Sequence, residues 1–463
     1  MNLLEKGTGE SVIREMSLAQ ISSEISGKHI GANVNFNAVS TDTRALTVNA
    51  LYVALVGEQF DGNEFVEKAL EKGACAAVVS KSIPMVGPVV QVADTTKALG
   101  QIARLNRVAS AAHFIAITGS QGKTTVKEMC ASIMSECRKV LVTRGNFNNH
   151  IGVPLTLLEI NPEHDCAVIE LGASGLGEIA YTVAMVMPNV AVLTNAEGTH
   201  IEGFGDLDGV VRTKGEIIDG LVADGVAVLN ADDPHFSTWK ERAKDKTVKS
   251  FALDNLADYQ AQNLVIKNTG GSEFTIVTPV GEIAISLGLA GRHNVLNALA
   301  AAAASIESGA SLQDVQRGLA KVNAAPGRLQ LLTGMANSVL IDDSYNASPS
   351  SFHAAIDVLA QSKGRKILVV GDMGELGLEA AQAHTEIGEY ARDKGIDALW
   401  ATGQNAVLTA QSFGASGRHF AQQLDLIAAA KNELSEGDTV LVKGSRSAAM
   451  ERVVEQLKMG ESL

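Results

Sequence analysis

Five runs between His113 and Asn230 (HFIAITG, RKVLVT, CAVIELG, VAVLTN and VAVLN) are largely apolar from end to end, with helical segments between them. A strand that is apolar on both faces has to be covered on both, and parallel neighbours need a crossover between them. The pattern therefore predicts a parallel sheet layered between helices. The alternation returns from Ser338 in SVLIDD, KILVVGD, DALWATG and TVLVKG and closes with the helical SAAMERVVEQL, which predicts a second, Rossmann-type sheet. Ahead of both lies a small α/β unit, in which the strand-like ALYVAL and AAVV flank the helical NEFVEKALEKG, ended by Gly73. Between Gln260 and Leu287 the short runs NLVIKN, EFTIVT and EIAISL are broken by glycines, and an antiparallel β-appendage to the central unit is expected there.

The expected organisation is thus α/β in three domains, 1–94, 95–326 and 327–463, the second opening with a helix near Thr95 and the third following the break at Pro326 and Gly327. A chain of 463 residues has room for two to four domains, and 46 % hydrophobic with 19 % charged residues is a globular composition. The formal charge of −14 argues against a general affinity for nucleic acid or anionic membranes, so an anionic ligand would need a local positive site. Glu5 and Lys6 interrupt the opening MNLLEKGTGE before a signal peptide could form, and the longest apolar run, ALAAAAA from Ala298, is far too short to span a bilayer. Cys75, Cys130, Cys137 and Cys166 show neither disulfide-framework nor zinc spacing. A cytoplasmic location is expected.

The chemistry is concentrated first in ITGSQGKTT, Ile117 to Thr125, which follows strand-like HFIAI and precedes helical VKEMCASIM. A strand, a glycine-rich turn and a helix start together form a phosphate loop. Backbone N–H groups of Gly119, Ser120, Gln121 and Gly122 and the helix terminus face the anion, Lys123 neutralises β/γ-phosphate charge, and Thr124 and Thr125 supply hydroxyls, Thr124 for Mg²⁺. The usual GxxxxGK[ST] spacing is not met: Ile117 stands where its first glycine belongs, and Gly119 comes two residues late. Read alone, the segment could also be a glycine-rich strand-to-helix turn.

The shortened loop resembles that of the Mur ligases and their folylpolyglutamate synthetase relatives. The resemblance continues in order through GNFNNHIGVP, VIELGAS, NAEGTHIEGFG, RTKGEI, GRHNVLNALAA, PGR, IDDSYNASP, GDMGELG and LVKGSR. STDTR (40–44) and FDGNEF (60–65) are similar to the UDP-binding first domain of the family members that extend the peptide late, and no GxGxxG lies near the N-terminus. The resemblance implies an ATP-dependent amide ligase, most similar to the member that joins D-Ala-D-Ala to UDP-N-acetylmuramoyl-tripeptide through an acyl phosphate, acting as a cytoplasmic monomer. Another ligase of the superfamily, or a nucleotide-switch binding protein, are the alternatives.

The resemblance also implies residue roles. Thr124 and Glu170 would serve the Mg²⁺ on ATP, and His200 and Lys214 a second one, with Lys214 carbamylated; by themselves His200 reads as a loop histidine and Lys214 as a solvated helix-face lysine. Lys123, Lys214 and His200 form the expected catalytic set. Asn294 and Asn297 would meet adenine or ribose, and Arg328, Asp343, Tyr345 and Asn346 would reach the nucleotide when the domains close. Ser40, Asp42, Thr43 and Arg44 would hold the UDP diphosphate, or be no more than a turn with a surface arginine. Asn148 and Asn149 would orient the muramoyl peptide, or simply form an Asn-rich loop. Lys443 and Arg446 would face the acidic peptide, or be ordinary surface charges.

Overall fold

A computed structural model describes residues 13–83, 87–198, 201–267, 271–324 and 326–459. The apolar runs of the middle of the chain form a nine-stranded sheet. Strand His113–Thr118 lies third from one edge, flanked by Cys166–Glu170 on one side and Val190–Leu193 on the other, both parallel to it. Val140–Val142 closes the first side; Val226–Asn230 and Thr247–Ala252 extend the second, again in parallel. The chain thus leaves this strand in both directions, and the crevice at the carboxyl ends of such a sheet is where α/β proteins hold ligands. Register brings Glu170 beside Ile117, and Leu193 beside Thr118, at that edge.

The segment expected as an antiparallel appendage is a continuation of this sheet. Tyr259–Ile266 runs parallel to Thr247–Ala252, and the hairpin Ser272–Thr278 and Gly281–Leu287 follows antiparallel. Its alternating residues Phe274, Ile276, Ile285 and Leu287 are buried in one core with the Ala-rich helix Arg292–Glu307, which keeps the hairpin on the sheet. Thr247–Ala252 carries Lys249 and Ser250 mid-strand, so no apolar run marks it in the sequence.

The first unit is a five-stranded sheet ordered Lys28–Ile30, Val89–Gln91, Ala76–Val79, Ala50–Val53, Ala38–Ser40, parallel except at its first pair. Helix Thr95–Ala109 joins it to the central layer. Its Ala98, Leu99, Ile102 and Ala103 belong to a single core that also holds Leu51 and Val78 of the first sheet and Ile169 and Leu193 of the second. In the last unit Val339–Asp343, Thr439–Lys443, Lys366–Val370, Ala398–Thr402 and Gly417–Phe420 lie parallel, with Gln330–Thr333 antiparallel at one edge and a separate core on each face. Among the described residues no helix is long and apolar enough to cross a membrane.

Candidate active site

The loop from Gly119 to Gly122 turns the chain from strand His113–Thr118 into helix Lys123–Met134. Two of its glycines are obligatory. Gly119 has φ +151° and Gly122 φ +79°; a Cβ would fall 1.8 Å from Thr194 Oγ1 at the first and 2.4 Å from Asn297 Oδ1 at the second. The loop is held by its neighbours: Ser120 N–H donates to the Asn195 carbonyl (3.0 Å) and Gln121 N–H to Asn195 Oδ1 (2.8 Å). Lys123 Nζ donates to the carbonyls of Gly119 (2.7 Å) and Ser120 (3.0 Å), curling over the loop where a phosphate would sit. Burial drives the Lys123 pKa below the ordinary lysine value, with Glu170 and Glu197 pulling it up and Arg328 pushing it down.

Glu170 ends the next strand, almost wholly buried. Asn148 Nδ2 donates to its Oε1 at 2.8 Å, whereas its buried Oε2 has no hydrogen-bond partner among the described residues. Asn149 Oδ1 accepts the N–H groups of Ile151 and Gly152, where helix Gly152–Leu157 begins. Lys214 lies inward on helix Leu207–Asp219, 2 % exposed, its Nζ 5.4 Å from the centre of the Phe204 ring. That corrects the reading of it as a solvated lysine. Burial, aided by the charge of Lys123 and opposed by Glu178, pushes its pKa down to about 7.

The opposite wall comes from the last unit and from helix Arg292–Glu307. Asn294 Nδ2 donates to Ala290 O (2.7 Å) and Asn297 Nδ2 to Asn294 Oδ1 (3.3 Å), so the pair packs under the loop at Gly122. Arg328 Nη2 donates to Thr124 Oγ1 (3.2 Å) while its guanidinium stacks 4.2 Å from the Tyr345 ring centre. Lys443 and Asp343 are register partners on adjacent strands, and Lys443 Nζ donates to Asp343 Oδ2 (2.6 Å) and to Asn346 O (3.0 Å). Asp343 Oδ1 accepts Leu329 N–H (3.1 Å); burial raises the Asp343 pKa against the pull of Lys443. Arg446 is exposed at the rim, 3.5 Å from Glu451.

These groups line one cleft of about 1120 Å³, which takes in Ser120 to Thr125, Asn148, Asn149, Glu170, Lys214, Asn294, Asn297, Arg328, Asp343, Tyr345, Asn346, Lys443 and Arg446. Ser40, Asp42, Thr43 and Arg44 are outside it. They form a turn beside the first sheet in which Arg44 donates to both Asp42 oxygens (3.0 and 2.7 Å), Ser40 Oγ donates to Asp42 O (3.0 Å), and Lys72 Nζ to Thr43 O (2.9 Å). Arg44 holds the Asp42 carboxyl below its ordinary pKa. His200 lies outside the described residues.

Two cross-links between units had no expectation attached. Gln121 Nε2 donates to Ser348 Oγ (2.8 Å), and Ser350 Oγ donates to Glu197. Burial raises the Glu197 pKa, while its bond from Ser350 lowers it. Asn195 and Glu197 stand within NAEGTHIEGFG and Ser348 within IDDSYNASP, so the motifs located the segments, but which side chains meet depends on how the units pack. Among the described residues no three His, Cys, Asp or Glu side chains are grouped to hold a metal by themselves. A magnesium ion arriving with a triphosphate needs fewer protein ligands, and the orphaned Glu170 Oε2 and the Thr124 hydroxyl suit a hard, oxygen-seeking cation.

Residues 35–107 match the catalytic domain of the Mur ligase family, 117–305 the Mur ligase middle domain and 327–446 the glutamate ligase domain of Mur ligases. The chain is 45 % identical to the UDP-N-acetylmuramoyl-tripeptide–D-alanyl-D-alanine ligase of Escherichia coli K12, over 96 % of this chain and 98 % of that one. It is 36 % identical to the ligase of the same name from Bacillus subtilis 168, over 91 % and 93 %. Among solved structures, MurF from Acinetobacter baumannii superposes with a TM-score of 0.90 at 35 % identity, covering 96 % of this chain and 98 % of that one. MurF from Thermotoga maritima in complex with ADP gives 0.82 at 27 % identity, covering 90 % and 96 %. In sequence and in fold, across nearly its whole length, the chain belongs to the Mur ligase family.

Proposed function

We propose that this chain is the ATP-dependent ligase that joins D-Ala-D-Ala to UDP-N-acetylmuramoyl-tripeptide, in peptidoglycan precursor synthesis, as a cytoplasmic monomer working through three domains, 1–94, 95–326 and 327–463. One observation carries the reading. The phosphate loop, the carboxylate of Glu170, the buried amine of Lys214 and the Asp343–Lys443 pair of another unit all face a single cleft. A nucleotide switch would not need that set. An amide ligase does, because the peptide carboxylate must take the γ-phosphoryl group of ATP, releasing ADP, before the amine of D-Ala-D-Ala displaces phosphate through a tetrahedral oxyanion.

In this reading Gly122 and the first turn of helix Lys123–Met134 offer backbone N–H groups to the phosphates, the N–H groups of Ser120 and Gln121 being held by Asn195, and Lys123 swings from its carbonyl contacts onto the β/γ oxygens. Arg328, at the start of the last unit, reaches the same oxygens from beside Thr124, and Tyr345 braces its guanidinium. Asn294 and Asn297 steady the loop and meet the nucleoside; Asp343 and Asn346 complete that wall with Lys443. Asn148 and Asn149 orient the muramoyl peptide, Lys443 and Arg446 its acidic groups, and Ser40, Asp42, Thr43 and Arg44 the UDP diphosphate. Thr124 and Glu170 would hold the magnesium on ATP, and His200 with carbamylated Lys214 a second ion. Bound magnesium would offset repulsion between the triphosphate and the incoming carboxylate. The neutral amine favoured by burial of Lys214 is the form that reacts with CO₂, losing a proton and becoming the anion such a site needs.

The test is phosphate release with saturating UDP-muramoyl tripeptide and D-Ala-D-Ala, D-Ala, L-Ala-L-Ala, diaminopimelate or glutamate. D-Ala-D-Ala is expected to be preferred strongly over D-Ala, because a pocket built for the dipeptide would leave polar groups unpaired with the shorter acceptor. Preference for diaminopimelate or glutamate would move the chain to another ligase of the family, and slow ATP hydrolysis indifferent to every acceptor would indicate a switch.

A further inference from the structure

Lys127 is a lysine only 1 % exposed, one helical turn beyond Lys123, and the ligation chemistry above gives it no task. Its Nζ donates to the carbonyl of Thr143 at 2.9 Å and lies 2.9 Å from Glu128 Oε1 and 3.9 Å from Glu170 Oε2. Thr143 continues strand Val140–Val142, its N–H donating to Val168 O, and its hydroxyl accepts the backbone N–H of Glu170 at 3.0 Å. One buried cation therefore ties the carboxyl ends of two neighbouring strands together through Thr143, while facing the carboxylate oxygen that no hydrogen bond from the described residues holds. The other oxygen is fixed by Asn148. Burying a charged side chain is costly unless it is paired, and a methionine would fill an apolar helix face without that cost, so the lysine has to return something.

We infer that Lys127 is a positioning residue for the divalent-cation site: through Thr143 and its ion pair it sets the orientation of the Glu170 carboxylate toward the phosphate loop. The inference rests on the reading of Glu170 as a magnesium ligand. It differs in sign from the simplest alternative. A cation 3.9 Å from Glu170 Oε2 repels any divalent ion on that oxygen, so if Lys127 supplied charge alone, its removal would tighten metal binding. If it aims the carboxylate, its removal weakens binding, as loss of outer partners of metal ligands does, by about 10–100-fold.

The experiment titrates the full-length protein with Mn²⁺ in the presence of ADP, following free Mn²⁺ by electron paramagnetic resonance, without any turnover. The variants are Lys127→Met, Lys127→Arg, Glu170→Gln and the double variant E170Q/K127M. K127M is expected to weaken Mn²⁺ binding by about 10–100-fold. K127R, which keeps the cation, should weaken it less, and E170Q/K127M should be no weaker than E170Q alone. Binding by K127M as tight as wild type or tighter, or losses that multiply in the double variant, would overturn the inference. Wild-type affinity in E170Q would instead overturn the assignment of Glu170, which separates the two failures. If K127M does not fold, K127R against E170Q/K127R gives the same decision: a loss that disappears in the E170Q background supports positioning, and no loss or a multiplying loss refutes it.

Discussion

Lys214→Met should make the protein more stable as it makes the enzyme inactive, and by an amount that depends on pH. The side chain is 2 % exposed, and burial pushes its pKa from the ordinary 10.5 down to about 7. In the unfolded chain the amine stays protonated up to about pH 10.5, so between those two values the unfolded state binds the extra proton and stability rises with pH. Below about pH 7 the folded protein carries the buried charge and the whole penalty is present. At about 1.4 kcal/mol per pH unit the gap from about 10.5 to about 7 is worth up to about 5 kcal/mol. Methionine removes that penalty while packing beside Phe204. K214M should therefore exceed wild type most below about pH 7, and its advantage should shrink by about 2 kcal/mol between about pH 7 and about pH 9. Trp239 reports on this site directly, because its indole donates to Val211 O on the Lys214 helix at 3.1 Å. The only other tryptophan is Trp400, so urea unfolding in a W400F background, in CO₂-free buffer, follows Trp239 alone. Bicarbonate should then stabilise wild type and leave K214M unmoved. A difference between wild type and K214M that is the same at both pH values would refute the reasoning.

Lys123→Ala should leave the melting curve close to wild type and abolish ligation, since among the described residues the amine's hydrogen bonds are to its own loop; ligation near wild type would exclude the loop as the phosphate site. Gly119→Ala forces a Cβ onto Thr194 Oγ1 at a positive φ and should cost about 1–3 kcal/mol and weaken ADP binding, with T194A/G119A recovering part of the loss in calorimetry. Lys443→Met strands the buried Asp343 and should destabilise by about 3–5 kcal/mol, most of which D343N/K443M should restore in the same urea assay. The ligation rate should climb from about pH 7 to about pH 8.5, because attack needs the neutral α-amine, whose pKa is about 7.7–8.0; a rate falling over that range in phosphate-release assays would contradict amine attack.

The layering of the fold was legible because the apolar runs at His113, Cys166 and Val190 leave a parallel sheet little alternative, and with it the placement of Glu170 and the phosphate loop at one edge. Strand Thr247–Ala252 was not legible, since its register with Val226–Asn230 is set by the partner and not by its own Lys249 and Ser250. Nor were the bonds of Gln121 to Ser348 and Ser350 to Glu197, whose partners are separated by 227 and 153 residues and meet only where loops of two separate sheets come together at the cleft.

The two buried lysines lie between these cases. In Leu207–Asp219 the buried residues Val210, Val211, Ile217 and Ile218 fall at helical spacing, and Lys214 sits in the middle of their stripe. In Lys123–Met134 the buried face runs through Val126, Met129, Cys130, Ile133 and Met134, and Lys127 again lies on it. A lysine on the inward stripe of an amphipathic helix cannot reach water without breaking the packing, so the fold must pair it, shift its pKa, or do both. Lys127 is paired, with Glu128 and Glu170, whereas Lys214 faces an aromatic ring and has its pKa moved. The two outcomes call for different chemistry. A paired lysine holds geometry, and a lysine that has no close carboxylate among the described residues keeps a reactive amine. Periodicity alone can locate both residues, but only the neighbours brought in by other strands, Thr143 and Glu170 in one case and Phe204 in the other, decide which is which.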